Sequence, residues 1–160
     1  MVQVGEQAPS FRAHSSQGHT LQSDVYLGRT PMVLFFFPEI GTPGCDAEIS
    51  AFNARLKEFG QNRVQLLGIT RARAKDLRHY AEEHNLKVPL LADESSKIIR
   101  DYGVAAEDGR ARRVTVIVDR LGKVAHVFDP VETHNHAEEV LSVIDQLREE
   151  RPEAMSRETG

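Results

Sequence analysis

The chain has 160 residues, 40% hydrophobic and 28% charged, with a formal net charge of −4. That length suits one domain with a real hydrophobic core, and the acidic balance leaves no broad cationic footprint for nucleic acid. No apolar run approaches the roughly 20 residues that span a bilayer, and Met1-Val2-Gln3-Val4-Gly5-Glu6 lacks the basic and apolar regions of a signal peptide, so a cytoplasmic location is expected.

Strands and helices alternate along the chain. Residues 11–13 and 20–21, around the turn at Gln17-Gly18, predict an N-terminal β-hairpin. Residues 32–37 form an uninterrupted apolar run, too short for a typical helix and stopped by Pro38, which predicts a central buried strand. Its three phenylalanines, Phe35, Phe36 and Phe37, read as core residues. Beyond it, Cys45, Ile49, Phe52, Leu56 and Phe59 follow in steps of four, three, four and three, an apolar stripe on one helix with the cysteine at its leading end. A strand over 64–70, a helix over 74–84, a short strand at 90–92 and a helix over 96–102 come next. Strands at 114–118 and 124–128 flank Leu121-Gly122 and predict an antiparallel hairpin, followed by a helix over 136–148. One domain is expected over residues 1–148, with a polar, disordered tail over 149–160, where Pro152 falls in a segment without periodicity. This pattern implies an α/β sandwich with a mixed sheet.

Cys45 is the only cysteine, which excludes an intramolecular disulfide, a dithiol mechanism within one chain, and any zinc site built on several cysteines. Its surroundings suggest reactivity. Thr42 suits an N-cap and Pro43 the first helical position, so Cys45 falls in the first turn, near unpaired backbone N–H groups and the positive end of the helix dipole. Those features favour the thiolate, the nucleophilic form. They do not suffice. An isolated thiol with a pKa of about 8.5 is only about 3% ionised at pH 7, and reaching about 90% requires roughly 3.4 kcal/mol of differential stabilisation. A helix terminus supplies about 0.3–2 kcal/mol, and Asp46 next door opposes it. A fixed cation is needed, both for the thiolate and for the charge that develops on a leaving oxygen.

The segment Pro38-x-x-x-Thr42-x-x-Cys45 resembles the peroxidatic motif of the peroxiredoxin (alkyl hydroperoxide reductase/thiol-specific antioxidant) family. Thr42-Pro43-Gly44-Cys45-x-x-Glu48 resembles its bacterioferritin comigratory protein, or peroxiredoxin Q, branch. Further matches follow in family order: Val4-Gly5-x-x-Ala8-Pro9-x-Phe11, Leu90-Leu91-Ala92-Asp93, Arg113 to Asp119, and His134 to Leu141. The resemblance implies a thioredoxin-like three-layer sandwich with a mixed central sheet and an N-terminal β-hairpin. It also implies peroxide reduction through a sulfenic acid on Cys45, without metal or organic cofactor. Thr42, Gly44, Cys45 and Arg113 would contact the peroxide, Arg113 would stabilise thiolate and transition state, Pro38 would close the pocket, and Glu48 would orient Arg113. The protein would be a monomer or a homodimer.

Two departures stand out. Many members of this branch carry a resolving cysteine five residues after the first, where this chain has Ser50. An external thiol would then have to recycle the sulfenic acid: thioredoxin, glutaredoxin or a low-molecular-weight thiol. Asp46 stands where a threonine is usual, and Arg110 and Arg112 are candidates to offset its charge. A non-enzymatic redox sensor or binding module on the same scaffold is the alternative. Other polar clusters read more simply: Arg71, Arg73, Lys75 and Arg78 as solvated surface, and His134 and His136 as a loop-to-helix junction with too few ligands for a metal.

Overall fold

A computed structural model describes residues 1–132 and 134–156. Its centre is a seven-stranded mixed sheet. In chain order the strands are β1 (Arg12–Ser15), β2 (Thr20–Gln22), β3 (Met32–Phe36), β4 (Gln65–Thr70), β5 (Leu90–Ala92), β6 (Val114–Val118) and β7 (Val124–Phe128). Across the sheet they run β2-β1-β5-β4-β3-β6-β7. The expected hairpin forms, with Ala13 opposite Leu21, and it joins the main sheet through antiparallel pairing of β1 with β5. β3 lies parallel to β4 and antiparallel to β6. Every residue of β3 is buried, as its unbroken apolar run predicts.

Alternation along β3 divides the core in two. Val33, Phe35 and Phe37 face a layer built from α1 (Pro43–Ala54), α2 (Leu56–Gln61), α3 (Ala74–Glu83), α5 (His136–Glu150) and α6 (Pro152–Met155). Met32, Leu34 and Phe36 face α4 (Lys97–Asp101) and the N-terminal segment. The result is three layers with the sheet in the middle. Phe35 stacks on Phe52 of α1 at 4.3 Å between centroids. That packing needs Gly68 in β4, because a Cβ there would lie 2.6 Å from the Phe35 ring.

Two expectations are corrected. The stripe from Cys45 to Phe59 belongs to two helices, since Arg55 leaves helical geometry (φ −109°, ψ 11°) and its N–H bonds to the Phe52 carbonyl. The break keeps the apolar face: Phe52 and Phe59 are both fully buried. Residues 149–156, expected in the disordered tail, instead complete α5 and form α6. Ala154 and Met155 are buried, and the Ala154 carbonyl accepts the Arg120 N–H at 2.8 Å, so tertiary docking orders a segment that local periodicity does not mark. The rest of the expected tail, 157–160, lies outside the described residues.

Candidate active site

The site assembles where β3 ends. The backbone leaves the sheet at Phe37 and turns through Gly41, whose φ of +87° suits a residue without a Cβ, before entering α1 at Pro43. Thr70 at the end of β4 anchors this departure: its hydroxyl donates to the Phe37 carbonyl at 2.8 Å and lies 3.3 Å from that of Pro38. Thr42 occupies the N-cap position with extended geometry, but its hydroxyl makes no cap bond, so the expected capping bond is missing and the hydroxyl has no hydrogen-bond partner among the described residues. Cys45 sits in the first turn of α1, only 1% exposed.

Sheet register brings in the cation. Because β6 runs antiparallel to β3 with Val114 opposite Phe36, the preceding residue, Arg113, arrives beside the start of the 37–42 loop. One end of its guanidinium, Nη2, lies 3.2 Å from Cys45 Sγ. Nη1 donates to Glu48 Oε1 at 2.9 Å. Glu48 is one turn beyond Cys45 on the same helical face, so a single planar guanidinium spans both side chains. Gly44 also borders it: a Cβ there would lie 3.4 Å from Nη2. Pro38 is half-buried at the start of the loop.

Electrostatics follow from burial. Glu48 is 1% exposed, and desolvation pushes its carboxyl up to about 7, against the pull of the Arg113 charge and hydrogen bond. Its Oε2 has no hydrogen-bond partner among the described residues. Burial works against the Arg113 charge too, but its bonds to Cys45 and Glu48 outweigh this and hold its pKa above the ordinary arginine value.

Several neighbours of the site escape sequence reasoning. Tyr80 of α3 donates its hydroxyl to Asp46 Oδ1 at 2.5 Å, and the same oxygen accepts the Gly41 N–H at 3.1 Å. Tyr80 lies on the buried face of α3 with Leu77 and Ala81. His136, weighed above as a metal ligand with His134, is instead a buried hydrogen-bonding residue. Its Nε2 meets Thr115 Oγ1 at 2.8 Å, its Nδ1 meets Glu139 at 2.9 Å, and its ring packs edge-on to Phe52 and Phe128. Burial lowers its pKa, and the nearby Arg113 charge adds to this. Among the described residues no three His, Cys, Asp or Glu side chains converge as a metal site would need. Arg110 and Arg112 do not offset Asp46: Arg110 pairs with Glu39 at 3.0 Å, and Arg112 with Asp129 at 3.1 Å.

Comparison with known proteins decides the family. The model of the AhpC/TSA family matches residues 4–127. The chain belongs to the AhpC/TSA family. Over 149 residues it is 30% identical to peroxiredoxin Bcp of Escherichia coli (strain K12), covering 88% of this chain and 94% of that one. It is 28% identical to the chloroplastic peroxiredoxin Q of Populus jackii over 91% of this chain and 70% of that one. The crystal structure of peroxidoxin BcpB from Mycobacterium tuberculosis superposes with a TM-score of 0.84 at 27% identity, over 92% of this chain and 99% of that one. This peroxiredoxin of the Bcp and peroxiredoxin Q type is a thiol-dependent peroxidase, and its single cysteine fits a one-cysteine mechanism.

Proposed function

We propose that Cys45 reduces hydrogen peroxide and organic hydroperoxides, with Arg113, Thr42, Gly44, Glu48 and Pro38 shaping the reaction. The observation that carries this is the 3.2 Å contact between Arg113 Nη2 and Cys45 Sγ. The thiolate attacks one peroxide oxygen. A sulfur–oxygen bond forms, the oxygen–oxygen bond breaks, sulfur is oxidised, and the departing oxygen leaves as water or alcohol with the peroxide's own proton. Arg113 holds the thiolate beforehand and faces the charge that develops as the bond breaks. The free Thr42 hydroxyl and the Cys45 N–H position the peroxide, Gly44 leaves room beside the guanidinium, Pro38 shields the sulfur from water, and Glu48 orients Arg113.

Recycling takes two external thiol groups, from two small-thiol molecules or from one dithiol protein. The first attacks the sulfenic acid, giving a mixed disulfide and water. The second displaces Cys45 as a thiol and leaves as the oxidised reductant. Thioredoxin, glutaredoxin or a small thiol fills this role, in the cytoplasm, with the protein acting as a monomer or homodimer. Peroxide consumption measured with a panel of these reductants tests the reading, alongside Cys45→Ser. Turnover that survives the substitution refutes it.

A second reading draws on the 1% exposure of Cys45. A sulfenic acid that external thiols reach only slowly would suit a redox sensor. Stopped-flow oxidation followed by added reductant separates the two: a peroxidase recycles rapidly, and a sensor oxidises once and persists.

A further inference from the structure

Asp46 is a liability for the chemistry proposed above. It puts a negative charge one residue from a sulfur that must carry one, and the neighbouring arginines 110 and 112 are paired elsewhere. The carboxylate is nevertheless not loose. Its Oδ1 is held from two sides, by the Gly41 N–H at 3.1 Å and the Tyr80 hydroxyl at 2.5 Å. Gly41 precedes the helix that presents Cys45, and Tyr80 comes from a different helix, α3. Tyr80 itself is well fixed. Its ring is buried and packs on His84 at 4.3 Å. Burial, and then the bond and charge of Asp46, push its phenol well above the usual tyrosine value, so it remains a donor throughout the neutral range.

We propose that Tyr80 is a positioning residue for the peroxidatic cysteine: its hydroxyl pins the Asp46 carboxylate onto the Gly41 N–H, closing the turn that leads into Cys45 and keeping the Asp46 charge directed away from the sulfur. The arrangement lets an acidic residue stand beside a reactive thiolate. The charged and titratable groups around Cys45 are then Arg113 from just before β6, Glu48 and Asp46 from α1, and Tyr80 from α3, with His136 of α5 close to Arg113. Only Arg113 among them contributes positive charge. A released Asp46 therefore acts directly against that positive charge.

This inference rests on Cys45 being the nucleophile, and a double-substitution cycle tests the two separately. The readouts are Cys45 alkylation by iodoacetamide, a reaction of the thiolate form alone, and Cys45 oxidation by hydrogen peroxide in a single turnover. Tyr80→Phe keeps the ring and removes the donor, and slows both by about tenfold, which is about 1.4 kcal/mol in the barrier. Asp46→Asn in the Tyr80→Phe background removes the freed charge and restores most of the rate. A merely structural role for Tyr80 predicts the opposite, a double variant slower than either single one. Should Tyr80→Phe fail to fold, Asp46→Asn and Asp46→Ala replace it. Both delete the charge, only asparagine keeps the oxygen that Gly41 and Tyr80 address, and the alanine protein is then the slower. Equal rates for wild type and Tyr80→Phe, no rescue by Asp46→Asn, or equal rates for the asparagine and alanine proteins would each overturn the proposal. A wild-type protein inert to peroxide would instead overturn the proposed function.

Discussion

Arg113 Nη2 lies 3.2 Å from Cys45 Sγ although 68 residues separate them in the chain. One local and one long-range feature bring them together. The helix start fixes the sulfur in its first turn, and the β3–β6 register fixes Arg113 at the mouth of the loop that feeds that turn. The other end of the guanidinium is occupied by Glu48, whose burial moves it toward the neutral form. A fully ionised Glu48 would absorb much of the guanidinium's field. On the proposed reading, a carboxyl that titrates near neutrality holds the arginine in place and leaves more of its charge to the sulfur.

Arg113→Ala should therefore reduce the rate of Cys45 oxidation by about 10²–10³, the usual loss when one donor to a developing oxyanion is removed. The fold should survive, because Glu48 already sits near neutrality and takes up a proton when its cation is lost. Arg113→Lys should recover only part of the rate, since a single ammonium cannot span Cys45 and Glu48 as the planar guanidinium does. Stopped-flow oxidation of each variant, with circular dichroism as the fold control, checks this. A lysine variant as fast as wild type would show that charge alone suffices.

Glu48 should also make stability depend on pH. Its folded pKa, about 7, lies above the ordinary value of 4.5, so between those values the folded state binds more protons than the unfolded one. The stabilising contribution is fully present below about pH 4.5 and is lost as pH rises through about 7, with a magnitude of up to about 3 kcal/mol. Glu48→Gln cannot titrate and should lack this slope. Urea denaturation of both proteins across that range tests it. Parallel stability curves would mean that Arg113 keeps Glu48 ionised throughout.

The legible parts of this fold were those written in short-range pattern. The β3 run, the two hairpins and the helices α3 and α5 appear where periodicity places them, because one buried face per element leaves that imprint. The reactive turn was partly legible, since Thr42 and Pro43 mark a helix start whatever the function. Arg113 was different: nothing local distinguishes it from Arg110 or Arg112, and only family resemblance singled it out. Tyr80 with Asp46, and His136 with Thr115, left no readable trace. Each depends on two elements far apart in sequence packing against each other, which neither propensity nor spacing encodes.

Ser50 gives a direct test of how rigid the reactive helix is. Within α1, residues 45 and 50 lie about 140° apart around the axis, with Cα atoms roughly 8.7 Å apart by ideal helix geometry. A disulfide requires no more than about 7 Å. A Ser50→Cys protein treated with one equivalent of peroxide should lose both thiols and two hydrogens in mass, and only by unwinding the start of α1, seen as a fall in far-ultraviolet helix signal. Wild type under the same treatment should keep its helix and hold a trappable sulfenic acid. Disulfide formation without loss of helix would contradict this geometry.

Met155 offers the sharpest test of the C-terminal segment. It is 1% exposed and belongs to the same core cluster as Cys45 and Phe59. Polar contacts surround it: Arg148 of α5 donates to the Asn62 carbonyl at 2.7 Å and lies 3.4 Å from that of Met155, while Arg120 binds the Ala154 carbonyl. A segment held this way contributes buried area as well as cover, so Met155→Ala should cost about 2–5 kcal/mol, the usual range for emptying a buried methionine site. The denaturant slope should stay unchanged, because the unfolded chain exposes almost the same surface. Peroxide oxidation of Cys45 well below the melting transition should change less than the stability does, since α6 touches neither Arg113 nor the 37–42 loop through any hydrogen bond among the described residues. A loss below about 0.5 kcal/mol, the range of an ordinary surface substitution, would mean that α6 frays in solution and that a disordered tail describes residues 149–156 after all.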